Sequence, residues 1–437
     1  MDFYRPLPYN HITKSNERIL LMRTEKTSSR YQWVIVACCF AMIFTVLGFG
    51  SSPRKLTMVA VPKALGLDYG PYSFTDTFRF LSTSIMNLLF GSMIQRFGPR
   101  KLIAAGFLSL IASSLVYSVA ETLPVIYLGG ALLGIGLTFT GTTMSGYVIN
   151  LWCTKNKGTI TGFVLCANGV GGAIATQLLS PIINASLFGY RDAYRLVALI
   201  LAVVGTVIVL LMRNSPTNDA LPGLAKKKAK GDVWEGISFQ EALRKPYFYV
   251  IAACIFLTGM VLQSIVGSDA NHLRSVGLDA GHVATVLSLH ALTLAGSKFL
   301  IGVLFDRKGL KATLLLCDIA ALVTLLLMIF VANSPAGKLM ALCYAVVSAV
   351  AMPLETIMLP LITADLFGQR SYAQMLGIIV AINTAGYSFG PPLTNFIFDA
   401  LGTYVPVFWA YLVLMAAITA GTMFALNSAR KDRPAAQ

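Results

Sequence analysis

Hydrophobic positions along this chain do not alternate, and they do not form a single stripe of helical period. They come as long unbroken runs separated by short polar breaks. Twelve runs reach the roughly 20 apolar residues that a helix needs to cross a bilayer. They cover approximately residues 31–52, 73–95, 102–121, 124–150, 159–185, 192–213, 247–270, 282–305, 312–332, 337–364, 372–398 and 403–426. Backbone amides in lipid must be satisfied within their own segment, so the runs predict helices. A barrel would instead show short alternating segments. The expected fold class is therefore an all-α membrane protein with twelve transmembrane helices in two pseudo-symmetric six-helix bundles. Its expected domains are a tail at 1–30, bundles at 31–213 and 247–426, a linker at 214–246 and a tail at 427–437.

The two bundles are suggested by a repeat. Gly91-x-x-x-Gln95-Arg96-x-Gly98-x-Arg100 returns 211 residues later as Gly302-x-x-x-Asp306-Arg307-x-Gly309-x-Lys311. The same offset carries Gly66-Leu67-Asp68-x-Gly70 onto Gly277-Leu278-Asp279-x-Gly281. Gly162, Asn168 and Gly171 recur as Gly377, Asn383 and Gly386 at an offset of 215, so a short indel lies between the two matches. Duplicated halves running in the same direction, in an apolar chain, point to a secondary transporter with its substrate held between the copies near mid-membrane.

Composition sharpens this. The chain is 56% hydrophobic and 12% charged, with mean hydropathy +0.70; soluble domains carry about 25% charged residues. Charge also orients it. With both termini inside, seven of the 34 Lys and Arg lie outside (Arg54, Lys55, Lys63, Arg191, Arg195, Arg274 and Lys338) and Arg79 and Lys298 lie within helices, leaving the other 25 inside. That bias predicts cytoplasmic termini in a multi-pass cell-membrane protein. It accounts for the net charge of +15 as an orientation signal beside anionic lipid, with no nucleic-acid partner. The seven cysteines include no C-x-x-C pair and read as packing residues. No metal or cofactor is expected. The first thirty residues are polar and carry no cleavable leader, and translation starts at either Met1 or Met22. Trp234–Leu243 has the pattern of a short amphipathic helix in an otherwise flexible linker rich in Pro, Gly and Lys.

Charges inside the membrane are the functional candidates, because burying them there is costly. Lys298 lies near mid-membrane with no acid within one turn of its helix; it either binds substrate or snorkels to the inner surface. Arg79 can bind substrate or pair with Asp76 along its own helix. The repeat places His290 opposite Arg79 and Lys298 opposite Asn87, so both copies carry polar groups at these levels; His290 read alone is equally a packed core histidine. Asn168, Gln177, Asn383 and Thr384 are polar neighbours for a ligand, and Arg54 stands at the outer mouth. Glu355, between Pro353 and Pro360, is expected at a kink. Glu355 and Asp318 are the proton-coupling candidates, with a structural carboxyl as the alternative. Gly91, Arg96, Arg100, Gly302, Asp306 and Arg307 form the expected gate. Its arginines would latch helix ends or acids on the inner side, unless the motif is only orientation charge.

With these motifs the chain resembles the major facilitator superfamily. Within it, four stretches resemble the monocarboxylate and oxalate/formate porter branch. They are Pro53-Arg54, Trp152-x-x-Lys155-x-Lys157-Gly158-x-x-x-Gly162, Lys298-x-x-x-Gly302, and Asp365-Leu366-Phe367-Gly368 with Gly377 and Gly390-Pro391-Pro392. The resemblance implies a secondary active transporter moving a small organic anion by proton symport or anion exchange, functional as a monomer. The chain also departs from the branch. Leu294 stands where animal monocarboxylate porters place an Asp. No basic residue lies between Ser371 and Pro391, where oxalate porters place a Lys. One mid-membrane cation fits a ligand with one carboxylate. The alternatives are efflux of a larger amphipathic compound, suited by sixteen Met and 11% aromatic residues, and a non-transporting receptor or membrane enzyme. For an enzyme, the four scattered histidines His11, His272, His282 and His290 supply no cluster at ligand spacing.

Overall fold

A computed structural model describes residues 31–51, 54–67, 69–153, 155–214 and 236–431 of the chain. The described residues are helical apart from turns and short connectors. In order they are α1 (Tyr31–Phe49), α2 (Arg54–Leu65), α3 (Tyr69–Val119), α4 (Leu123–Thr140), α5 (Thr142–Trp152), α6 (Lys157–Ala185), α7 (Gly189–Leu211), α8 (Phe239–Arg244), α9 (Pro246–Ser275), α10 (Ala280–Phe330), α11 (Pro335–Ala351), α12 (Met358–Phe367), α13 (Tyr372–Leu401) and α14 (Val405–Lys431).

Among these residues nine helical stretches are long and apolar enough to span a membrane. Two of them, α3 and α10, are double. Each folds back at one glycine, Gly98 (φ 74°, ψ 163°) or Gly309 (φ 76°, ψ 177°). That corner of backbone space is open essentially only to glycine, so the motif glycines at equivalent repeat positions make equivalent corners. Counting both limbs of α3 and α10, and adding α13, gives the twelve spans expected. Six belong to each half.

The fourth span of each half is broken, again at matching places. α4 stops at Gly141 before α5 resumes. α11 passes into a 3-10 turn, Met352–Glu355, before α12. The prolines at 353 and 360 foretell the second break; the first has no proline to announce it. Helix starts follow ordinary capping chemistry. Ser334 accepts the Gly337 amide at 3.0 Å ahead of Pro335, and Asp279 accepts the His282 amide at 2.8 Å. That bond is the main reason the Asp279 carboxyl sits below its ordinary value.

Two expectations need correction. The stretch left between the first two expected spans, 31–52 and 73–95, contains α2, which at 12 residues is too short to cross a membrane. The amphipathic helix is shorter than Trp234–Leu243: α8 covers Phe239–Arg244, opened by a Ser238–Glu241 capping box. Trp234 and the lysine run of the linker lie outside the described residues.

The halves meet along two crossings, α3 with α13 and α6 with the first limb of α10. Glycines make both possible. A methyl added to Gly162 would lie 2.5 Å from the Lys298 carbonyl oxygen, and one added to Gly377 would press into the Asn87 carbonyl. These pairs exchange under the repeat, so the two crossings are copies of each other. With no hydrophobic drive between helices in lipid, such close backbone approach is what holds them together.

Candidate functional site

The first limb of α10 holds Lys298 and His290, two of the candidate residues. Lys298 stands at the α6–α10 crossing and is 5% exposed. The ionisable side chain beside its ammonium is the Cys166 thiol of α6. Among the described residues no carboxylate lies within ion-pair distance of it. The matching position in the other half, Asn87, is neutral and satisfied. It accepts from the Thr143 hydroxyl at 3.0 Å and donates to the Thr83 carbonyl at 2.9 Å. The repeat thus gives the same frame twice and places a charge in only one copy.

The other residues expected at the site separate into groups. Arg79 pairs with Asp76 at 3.0 Å, lies over the Phe80 ring at 4.3 Å and reaches the Ser51 hydroxyl at 3.4 Å, so the local pairing foreseen for it is formed. His290 places Nδ1 2.7 Å from the Ser348 hydroxyl oxygen and stacks on Tyr344. Asn168 is half-buried on α6, and Gln177 is exposed. The Arg54 side chain lies outside what is described.

Asn383 requires a correction. Its amide donates to the Ile255 carbonyl at 3.2 Å, and it lines a cavity inside the C-terminal bundle together with Thr258 and Thr422. It is held by α9 and does not join Lys298. Asp318 lines the same cavity, with Oδ2 unpartnered among the described residues. Glu355 is buried on the 3-10 turn beside the Tyr387 hydroxyl. Tyr387 meets Phe80 of the other half edge-on, with centroids 5.9 Å apart. Of the two acids expected to carry protons, Glu355 therefore adjoins the interface between halves and Asp318 does not.

At the end of the molecule that carries the basic motif, the halves are closed against each other. The Asp306 carboxylate accepts the Gly158 amide at 2.9 Å and the Thr159 amide at 2.6 Å, capping the first turn of α6 across the interface. Gly302 packs on Gly158, and Gly91 packs on Gln374. Asn150 and Gln369 exchange two amide hydrogen bonds, of 2.6 and 3.1 Å. The Tyr372 hydroxyl bonds the Gly146 carbonyl at 3.4 Å.

The motif arginines are not what joins the halves, contrary to expectation. Arg96 and Arg307 are exposed and make no ion pair or hydrogen bond among the described residues, although Arg96 lies against Phe97. Arg100 bonds the Val209 carbonyl at 2.8 Å, near the end of α7 in its own bundle, and Lys311 bonds Asn427 of α14 at 3.3 Å. These cations staple spans within a half. Sequence reasoning missed Asn150 and Gln369, whose polarity resembles that of any loop. It also missed the link from Tyr344 to Asp269 (3.2 Å), which no spacing along the chain reveals.

The model of the Major Facilitator Superfamily matches residues 33–271 and 271–437. The chain belongs to that superfamily. It is a transporter, and the reading as a membrane enzyme is set aside. Known superfamily relatives include the oxalate:formate antiporter of Oxalobacter formigenes, 23% identical over 77% of this chain and 76% of that one. Monocarboxylate transporter 13 of Bos taurus is 24% identical over 88% and 87%. Multidrug resistance protein 2 of Bacillus subtilis is 21% identical over 77% and 82%. The solved proton:xylose symporter XylE superposes with a TM-score of 0.71 at 12% identity, over 90% of this chain and 95% of that one. That likeness speaks to the fold.

Proposed function

We propose that this protein is a cell-membrane carrier for small organic anions bearing one carboxylate, with cytoplasmic termini and acting as a monomer. It works by alternating access between bundles 31–213 and 247–426. The observation that carries the reading is Lys298, a buried cation at the crossing of the two halves with no carboxylate paired to it among the described residues. A charge so placed is costly and is repaid when a substrate anion arrives. Lysine offers a compact point charge, suited to one carboxylate better than the planar fork of arginine. Likeness to the oxalate:formate antiporter and to monocarboxylate transporter 13 supports the substrate class. Proton symport and anion exchange are the two coupling modes compatible with it.

In this reading the structure is the state closed on the cytoplasmic side, with Asp306 on the α6 terminus as the lock. Arg54 acts at the opposite mouth, and Glu355 is the acid placed to respond to substrate. The test is uptake of labelled lactate, pyruvate, formate and oxalate into proteoliposomes. Lys298→Gln should slow transport of the carried anion by roughly 30-fold or more, the effect of losing about 2 kcal/mol or more of buried charge contact. Lys298→Arg should retain part of it. If Lys298→Gln carries the native compound at the wild-type rate, the ligand is not a carboxylate held there, and efflux of a larger amphipathic compound becomes the better account.

A further inference from the structure

Four buried polar side chains from three helices meet in the C-terminal half, at a level the carrier reading has not used. Asp269 lies on α9, Tyr344 and Ser348 lie one turn apart on α11, and His290 lies on α10. All are at most 8% exposed. The Tyr344 hydroxyl donates to Asp269 Oδ2 at 3.2 Å. The Ser348 hydroxyl adjoins the Tyr344 oxygen and lies 2.7 Å from His290 Nδ1. The imidazole stacks on the Tyr344 ring, with centroids 6.2 Å apart and planes 12° from parallel. A carboxylate is thereby connected to an imidazole through two hydroxyls, each of which can both give and take a hydrogen bond.

We propose that these four residues form a proton-loading site. In it His290 takes up a proton from the non-cytoplasmic side and Asp269 supplies the balancing charge. The proposal rests on the carrier reading and supplies its coupling ion.

Three features favour this over a merely packed histidine. The group is ionisable near neutral pH and is contacted through the one nitrogen that Ser348 can serve either as donor or as acceptor. The counter-charge is on a different helix, so loading or unloading the imidazole changes the attraction between α9, α10 and α11 and leaves their internal bonds alone. Lys298 stands eight residues further along α10, about 12 Å of helix rise toward the cytoplasmic side. A cation at His290 and a cation at Lys298 therefore share one rigid limb.

The titratable groups around the imidazole include Tyr344 from α11 and Asp269 from α9. Lys298 lies two turns on in α10, and Glu355 seven residues beyond Ser348. His272, also on α9, is turned away: its Nε2 meets the Met328 carbonyl at 2.8 Å. No bond is made or broken in the step other than transfer of one proton from water to the neutral imidazole, reversed when the site opens to the other side.

The test reads the lock from a distance. Hydrogen exchange by mass spectrometry should follow the cytoplasmic ends of α6 and α13 between about pH 5.5 and about pH 8, the range in which a histidine switches. The purified full-length protein in lipid nanodiscs should show protection there, referred to the intrinsic amide exchange rate at each pH, that changes with pH, and His290→Gln should make that protection flat. Asp269→Asn should shift the midpoint. In proteoliposomes, Tyr344→Phe should lower pH-gradient-driven uptake by about tenfold, within the usual span of coupling factors. It should leave exchange of labelled for unlabelled substrate unchanged. Wild-type pH dependence of that protection persisting in His290→Gln would overturn the proposal. So would full gradient-driven uptake in Tyr344→Phe. Failure of the carboxylate reading looks different: no carboxylate moves in the wild type, while the pH-dependent exchange and its loss in His290→Gln remain.

Discussion

Asp306→Ala should open the end that carries the basic motif, and the size of the effect can be worked from two bonds. In the closed state the carboxylate accepts the Gly158 and Thr159 amides at 2.9 and 2.6 Å, both from the first turn of α6. Those amides have no partner inside their own helix. The bonds cross between halves, so they exist only while this end is shut, and their whole value falls on the closed side of the equilibrium. Loss of an N-terminal cap costs about 0.5–2 kcal/mol. The favourable placement of a negative charge at that terminus is part of the same figure and is not added to it. Since the carboxylate is exposed, water takes up some of the loss, which sets the expectation near 1 kcal/mol and a population shift of about fivefold. Spin labels at Lys101 and Lys308, exposed residues on opposite halves, would report it as a longer distance component in electron double resonance. Asp306→Asn retains capping oxygen and loses charge, so it should fall between wild type and Asp306→Ala. Gln95 occupies the same place in the first copy and caps nothing among the described residues, so Gln95→Ala should leave the distribution alone. Equal distributions in wild type and Asp306→Ala would refute the lock. So would an equal shift in Gln95→Ala.

Further outcomes follow from the same geometry. Gly162→Leu and Gly377→Leu each drive a side chain into a facing carbonyl, so both should hold the carrier open at the end that carries the basic motif, and labelling of cysteines introduced there should rise alike in the two variants. Gly98→Ala and Gly309→Ala force a side chain into glycine-only backbone space, at about 1–3 kcal/mol each; thermal unfolding in detergent should show both destabilised. Asp318→Asn replaces a carboxyl walled inside the C-terminal bundle by its neutral isostere. Gradient-driven uptake should survive this change, and its loss would return Asp318 to the coupling pathway.

Much of the architecture was legible because lipid writes it into the chain. A span must be apolar for its whole length, so the twelve spans stand out without coordinates; Gly98 and Gly309 stand out only as repeated glycines, and their role as corners at φ near 75° comes from the structure. Hydropathy, however, averages over a segment and carries no azimuth. Asn383 and Lys298 look alike as polar interruptions, yet one turns to α9 and the other sits at the crossing of halves. α2 escapes for a different reason, since its 12 residues are too few to form a run of spanning length. Arg96 and Arg307 drew attention as charges at helix ends. The residue that reaches across is Asp306, whose partner amides on α6 lie 147 and 148 residues away and have no side-chain signature.

The repeat also shows where the chemistry departs from the architecture. The Gly98 and Gly309 corners, the Gly162–Lys298 and Gly377–Asn87 contacts, and the broken fourth spans at Gly141 and Met352–Glu355 are all duplicated, so each half supplies the same mechanical parts. The ionisable side chains at these levels are not duplicated in kind. Lys298 answers to Asn87, Asp306 to Gln95, Glu355 to Met144 and His290 to the already paired Arg79. A symmetric frame lets two bundles rock about a common axis with matched contacts on either side. A charge placed in only one bundle makes the two end states differ in electrostatic free energy. A ligand or proton shifts such an equilibrium only by its differential interaction with the two states. In the proposed reading, the C-terminal half therefore holds Lys298 and His290, the groups through which substrate and proton act, and the N-terminal half offers Asn87 and an Arg79 already paired with Asp76 at the matching places.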